Sequence, residues 1–149
     1  MNQESVPATR EPRTAARNMH FSSLFRTTRL GAHGARHAAE RWLADQLSPE
    51  ESGDGDLAGT ASLLIAELAA NAALHGQVRG RDARLVVTLD VTELWVEVTD
   101  AHRGQQPVKC PDAGGESGRG LFLVEALADG WGVRAHHPGG KTVWAMCRR

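Results

Sequence analysis

Glu67, Asn71 and His75 recur at intervals of four through a stretch, Ala61 to Leu74, that is otherwise apolar almost all the way round. They are a carboxylate, an amide and an imidazole, groups that accept or donate hydrogen bonds. At 3.6 residues per turn, a spacing of four stacks them on one face of a helix, with a slow drift around the axis. A polar stripe in a buried helix demands partners, because a buried donor or acceptor left unpaired costs about 1–3 kcal/mol. A bound ligand would supply them. So would a structural network with neighbouring backbone, and the helix alone does not choose between the two.

The elements that must hold this helix follow from period and punctuation. Residues 1–19 are polar, with Pro7, Pro12 and scattered charges and no apolar period, which predicts a disordered arm ahead of one domain over 20–149. Phe21 to Leu30 has the composition of a short strand. Ala35, Ala39, Trp42, Leu43 and Leu47 fall near helical spacing, so a helix is predicted over 32–47, ended by Ser48-Pro49. The polar-striped helix then runs from Asp56 or Thr60, either a suitable N-cap, to His75, with Gly76 as its stop.

Arg84 to Val91 and Leu94 to Thr99 read as two strands joined by a tight Thr92-Glu93 connection. Residues 101–117 form a long loop rich in glycine, of the kind that often serves as a lid or binding loop. Gly118 to Asp129 has the spacing of another helix, with Leu121, Val124, Leu127 and Ala128 inward. A last hairpin, Trp131 to His136 and Thr142 to Met146, turns around Pro138-Gly139-Gly140. This order predicts an α+β two-layer sandwich, a mostly antiparallel sheet with its helices on one face.

Composition narrows the function classes. Hydrophobic residues make up 41% of the 149 and charged residues 23%, ordinary values for one soluble domain. With 17 basic and 18 acidic residues the net charge is −1, so no overall field draws the chain to nucleic acid or anionic lipid. Seven basic residues between Arg10 and Arg41 read as solvated surface. Cys110 and Cys147 are too few and too far apart for a disulfide framework or a zinc motif. His33 and His37 share a helix face but lack a third ligand at metal-site spacing. No apolar run is expected to reach the ~20 residues of a membrane span, and no signal peptide is seen, so a cytoplasmic protein without membrane or direct nucleic-acid contact is expected.

Three glycine signals compete for a phosphate-binding role. Ala135 to Thr142, ending Gly140-Lys141-Thr142, looks like a relaxed P-loop, yet the β-prone Val143-Trp144-Ala145-Met146 follows it where a helix is needed. No dinucleotide fingerprint follows a strand. The third, Gly114-Gly115-Glu116-Ser117-Gly118-Arg119-Gly120-Leu121, runs from a loop into a helix, where backbone N–H groups and the positive end of the helix dipole suit phosphate oxygens.

Order along the chain is more specific than any one piece. A helix bearing Glu67-x-x-x-Asn71, a strand ending in Asp100, a glycine-rich loop entering a helix at Gly118-Arg119-Gly120-Leu121, and a terminal strand with Lys141-Thr142 together resemble the GHKL ATPase superfamily. Within it, the small bacterial anti-sigma-factor serine kinases look most similar, over residues 21 to 147. The resemblance implies ATP and Mg²⁺ as cofactors. It implies that Asn71 ligates the magnesium and that Glu67, one turn away, orients or deprotonates the attacking hydroxyl. Asp100 would accept a hydrogen bond from the adenine amino group and reject guanine, which offers a carbonyl there. Gly118 and Gly120 would let backbone approach the phosphates, with Arg119 and Leu121 in the same turn, and Thr142 would lie beside adenine. His75 is expected simply to end its helix.

One departure is His102, where the family usually has glycine two residues after the aspartate; it would narrow the adenine pocket or shift the loop. The absence of phenylalanine between Asp100 and Gly118, and of a preceding phospho-accepting dimerisation helix, argues against a sensor histidine kinase; the chain is also short for the gyrase-like or chaperone members. The expected protein is a homodimeric serine/threonine protein kinase that binds a sigma factor and phosphorylates an antagonist in a partner switch. The rival expectation is a non-catalytic, nucleotide-responsive binding module.

Overall fold

Alternation along the strands decides the architecture of the computed structural model, which describes residues 19–53, 56–75, 81–101, 116–136 and 139–149, the side chains of 116–120 excepted. Five strands, β1 (Met19–Phe25), β2 (Ala83–Leu89), β3 (Glu93–Asp100), β4 (Gly130–Ala135) and β5 (Lys141–Arg148), form one sheet in the order β1-β2-β3-β5-β4. Every neighbouring pair is antiparallel. Leu85, Val87 and Leu89 of β2, Leu94, Val96 and Val98 of β3, and Val143, Ala145 and Cys147 of β5 all enter the main core. Their period of two sends the residues between them to the opposite face. There Trp95, Trp144 and Met146 make a second apolar cluster, the two indole rings 5.0 Å apart.

Three helices share the main-core face: α1 (Arg29–Gln46), α2 (Leu57–His75) and α3 (Glu116–Leu127). Thr28 caps α1, its hydroxyl accepting from the Gly31 N–H at 3.0 Å. Ala32, Ala35, Ala39 and Leu43 recur at helical spacing and are buried, as the sequence pattern required. α2 is the central helix: it packs against α1 on one side and α3 on the other, and lies on β3 and β5. Ala61, Leu64, Ile65, Leu68, Ala69, Ala72 and Ala73 all turn inward from it. Leu121 and Val124 of α3, with Ala128 just beyond its end, are buried as predicted.

The expected α+β sandwich, antiparallel with helices on one face, is the fold observed. Several details differ. The first strand ends at Phe25 rather than Leu30, because the Thr28 cap starts α1 at Arg29. Met19, assigned to the arm, opens β1; the rest of that arm lies outside the described residues. The β2–β3 connection spans Asp90 to Thr92, not Thr92-Glu93. Asp90 Oδ1 accepts from the N–H groups of Thr92 (2.7 Å) and Glu93 (2.6 Å), a side-chain turn that competes well with a two-residue hairpin. α3 begins at Glu116, two residues earlier than expected, and the predicted loop before it lies almost wholly outside the described residues. Contrary to expectation, one helix among the described residues, α2, is long and apolar enough by composition to cross a membrane. Its apolar character matches its place at the centre of the core, walled by two helices and a sheet.

Two contacts fasten the ends of the sheet. Gly140, just before β5, has φ +92°, and a Cβ there would meet the Asp100 carbonyl oxygen at 2.5 Å. Only glycine accommodates both the left-handed backbone and that approach. At the other end Arg149 donates through Nε to Glu51 Oε2 at 2.7 Å and through Nη1 to the Asp90 carbonyl at 2.9 Å. It thereby ties a 3₁₀ turn, Pro49–Glu51, to the β2–β3 turn.

Gly140→Ala should destabilise the fold by about 1–3 kcal/mol, read as a lower urea midpoint. The Arg149 guanidinium holds the Glu51 carboxyl at about 2, well below its ordinary 4.5. The folded value lies below the unfolded one, so this contribution is full above about pH 4.5 and fades as pH falls toward 2. Arg149→Ala should therefore lower stability at neutral pH and flatten its decline on acidification over that window, measured by urea unfolding at stepped pH.

Candidate functional site

The polar stripe of α2 divides once the helix is in place. Glu67 is half-buried and lines a cleft of about 360 Å³ between α1 and α2, facing Arg29, His33 and Arg36 of α1. Further along α1 the charges are tied together: Glu40 lies 3.5 Å from Arg36 Nε and 3.1 Å from His37 Nδ1, and accepts from the Ser62 hydroxyl of α2. His33 and His37 meet through their Nε2 atoms at 2.9 Å. His75 is the last residue of α2 and is exposed, as a helix end should be.

Asn71 behaves differently. It is only 7% exposed, and its Oδ1 is buried with no hydrogen-bond partner. A desolvated acceptor left unpaired costs about 1–3 kcal/mol, and the sequence pattern asked what would satisfy it. A neutral amide oxygen is a suitable ligand for a hard divalent cation. One such oxygen is compatible with Mg²⁺, which keeps several waters and takes its other ligands from phosphates.

Asp100 closes β3 on the same face as the helices, 4% exposed. It is already engaged. Lys141, its direct cross-strand partner on β5, places Nζ 2.8 Å from Asp100 Oδ2, with the two side chains 7% and 2% exposed. Thr142 is the next residue along β5 and so faces the other way, toward the side of Trp144 and Met146. Its hydroxyl lies 2.6 Å from Thr99 Oγ1 and 2.6 Å from His136 Nε2. The sheet thus does not bring Thr142 to Asp100; strand alternation gives that position to Lys141.

Sequence reading passed over Lys141, and the signal for it was available. Stepping back by twos from Cys147, Ala145 and Val143, the core-facing residues of β5, arrives at Lys141. Gly118, Arg119 and Gly120 fall in the first two turns of α3, a helix packed against α2. Of these, Gly118 lies in the first turn, where backbone N–H groups are free and an anion is stabilised, whereas the N–H groups of Arg119 and Gly120 fall at positions bonded within the helix. Leu121, in the same segment, is 2% exposed and serves the core. His102 and the expected loop around it lie outside the described residues.

These placements put a glutamate and an orphaned amide on one helix, an aspartate at the end of a central strand, and a glycine-containing helix start on the helix that packs against α2. The histidine kinase-like ATPase domain model matches residues 26–147, most of the chain. Among curated proteins, none matches it. The family match covers all three helices and every strand but β1, and the sheet and helix layers agree with it. The chain therefore belongs to the histidine kinase-like ATPase domain family, within the GHKL superfamily that its motif order resembles.

Proposed function

We propose that the chain is an ATP- and Mg²⁺-dependent serine/threonine protein kinase that binds a sigma factor and phosphorylates an antagonist of that binding. The observation that carries the reading is the buried, unpaired Oδ1 of Asn71, one turn along α2 from Glu67. Buried acceptors are nearly always paired, so an unpaired one beside a carboxylate on the same helix supports a ligand.

Asn71 Oδ1 would hold the magnesium ion, which when bound neutralises phosphate charge. The first turn of α3, which contains Gly118, offers its free backbone N–H groups to phosphate oxygens, and Arg119 and Gly120 follow in the next turn. Asp100 accepts from the amino group of adenine. Glu67 takes the proton of the attacking hydroxyl, and the α1–α2 cleft it lines gives an acceptor side chain a way in. Phosphorylating the antagonist removes a competitor for the sigma factor, so catalysis sets partner choice. A cytoplasmic homodimer is part of the same reading.

A second reading, a non-catalytic nucleotide-responsive module, draws support from the Lys141–Asp100 ion pair, which already engages one oxygen of the carboxylate that would receive the base. Calorimetric titration with ATP separates the outcomes. Asn71→Ala should weaken magnesium-dependent ATP binding roughly tenfold or more; wild-type protein that binds no ATP with magnesium would sink both the kinase and the nucleotide site. Glu67→Gln should leave ATP binding near the wild-type level while phosphate transfer to the antagonist falls about 10²–10⁴-fold, the usual worth of a general base. Transfer undiminished in Glu67→Gln would remove Glu67 from the chemistry.

A further inference from the structure

The buried ion pair at the ends of β3 and β5 has a chemical pattern that neither member has alone. Asp100 Oδ2 is an acceptor and Lys141 Nζ a donor, 2.8 Å apart, on directly paired positions of adjacent strands. Both face the helix layer, and both side chains are more than nine-tenths buried. The backbone behind them is held close, since the Gly140 turn brings its Cα against the Asp100 carbonyl with no space for a side chain. The result is a fixed acceptor–donor couple, not a lone carboxylate.

We propose that Lys141 is a base-reading residue: its ammonium donates to ring N1 of adenine while Asp100 accepts from the exocyclic amino group. This rests on the ATP-binding reading above and adds the residue that recognises the second atom of the base. The Watson–Crick edge of adenine presents an amino donor beside a ring acceptor, the complement of a carboxylate beside an ammonium. Guanine in the same pose presents a carbonyl to Asp100 and an N–H to Lys141. Two buried groups would then each face a like partner, so discrimination has two sources where the carboxylate alone supplies one.

Charge supports the same assignment. A buried carboxylate without a counter-ion is costly to desolvate, and the base that would contact it is neutral. Lys141 balances Asp100 whether or not a base is present, so nucleotide entry requires no uncompensated charge. The ammonium has three N–H donors, and its bond to Asp100 Oδ2 leaves others for a ligand. Lys141 thus contacts base and aspartate together, without giving up the ion pair.

Nucleotide analogues test this on the unaltered full-length chain. Affinities for ATP, 1-deaza-ATP (N1 replaced by C–H) and purine riboside triphosphate (amino group replaced by hydrogen) are measured with magnesium by calorimetry. Wild type should bind 1-deaza-ATP roughly tenfold to a hundredfold more weakly than ATP, the worth of a hydrogen bond to a charged group. Lys141→Met should narrow that gap to within about threefold, while remaining sensitive to loss of the amino group. Equal wild-type affinity for ATP and 1-deaza-ATP, with purine riboside triphosphate still discriminated, overturns the role of Lys141 and leaves the nucleotide site standing. Tighter ATP binding by Lys141→Met than by wild type also overturns it, since the side chain would then obstruct the base. Failure of wild type to bind ATP at all overturns the underlying reading as well. Should Lys141→Met not fold, with Asp100 left unpaired, Lys141→Arg retains a cationic donor, and the wild-type analogue comparison decides alone.

Discussion

The burial of α2 is the constraint on which the rest of the structure depends. A helix covered by a sheet beneath and a helix on each flank must be apolar around most of its circumference. Each polar group it carries therefore needs a particular destination. Glu67 reaches a solvent-filled cleft beside cationic side chains, and His75 escapes at the helix end. Asn71 has neither exit. Its unpaired oxygen is tolerated because the surrounding apolar contacts hold the helix in place, and the same contacts fix the direction in which that oxygen points.

The strand period has equal authority at the other side of the site. Because β5 alternates strictly, a shift of one residue in reading it exchanges the site face for the far face. That is why Thr142, chosen from resemblance alone, sits with Thr99 and His136 while Lys141 meets Asp100. The helix layer was more legible: the α1 and α2 patterns each combine an apolar period with a cap or stop, while α3 rested on its apolar spacing alone. The first strand was harder because Phe21 to Leu30 mixes apolar residues with serine, threonine and arginine and has no glycine or proline break, and the deciding signal was a single capping threonine. The ion pairs were not legible at all. They join residues 41 apart for Lys141 and Asp100, or 98 apart for Arg149 and Glu51, and sequence spacing says nothing at such separations.

Charge inside this fold is consistently neutralised locally. Lys141 answers Asp100, Arg134 answers Glu97 on the far face, and Arg149 answers Glu51 at the rim. A net charge of −1 is the sum of such pairs and does not imply a featureless surface. Cys147 fits the same economy of reactive groups: burial pushes its thiol up to about 11, so it stays protonated and behaves as a small apolar side chain between strands and helices.

The paired indoles on the far face acquire a meaning from where they lie. Trp144 stands opposite Glu97 on the same two strands that end in Asp100 and Lys141, three rungs away. Trp95 sits against it, with its own N–H held by Glu93 at 2.8 Å. Two buried aromatic rings at that separation couple electronically, and their emission and circular dichroism depend on their mutual angle. Any change in the twist of the β3–β5 ribbon is carried through the sheet to this pair. The pair lies on the reverse side of the ribbon whose near face ends in the Asp100–Lys141 couple, so the angle between the rings follows the twist of those two strands.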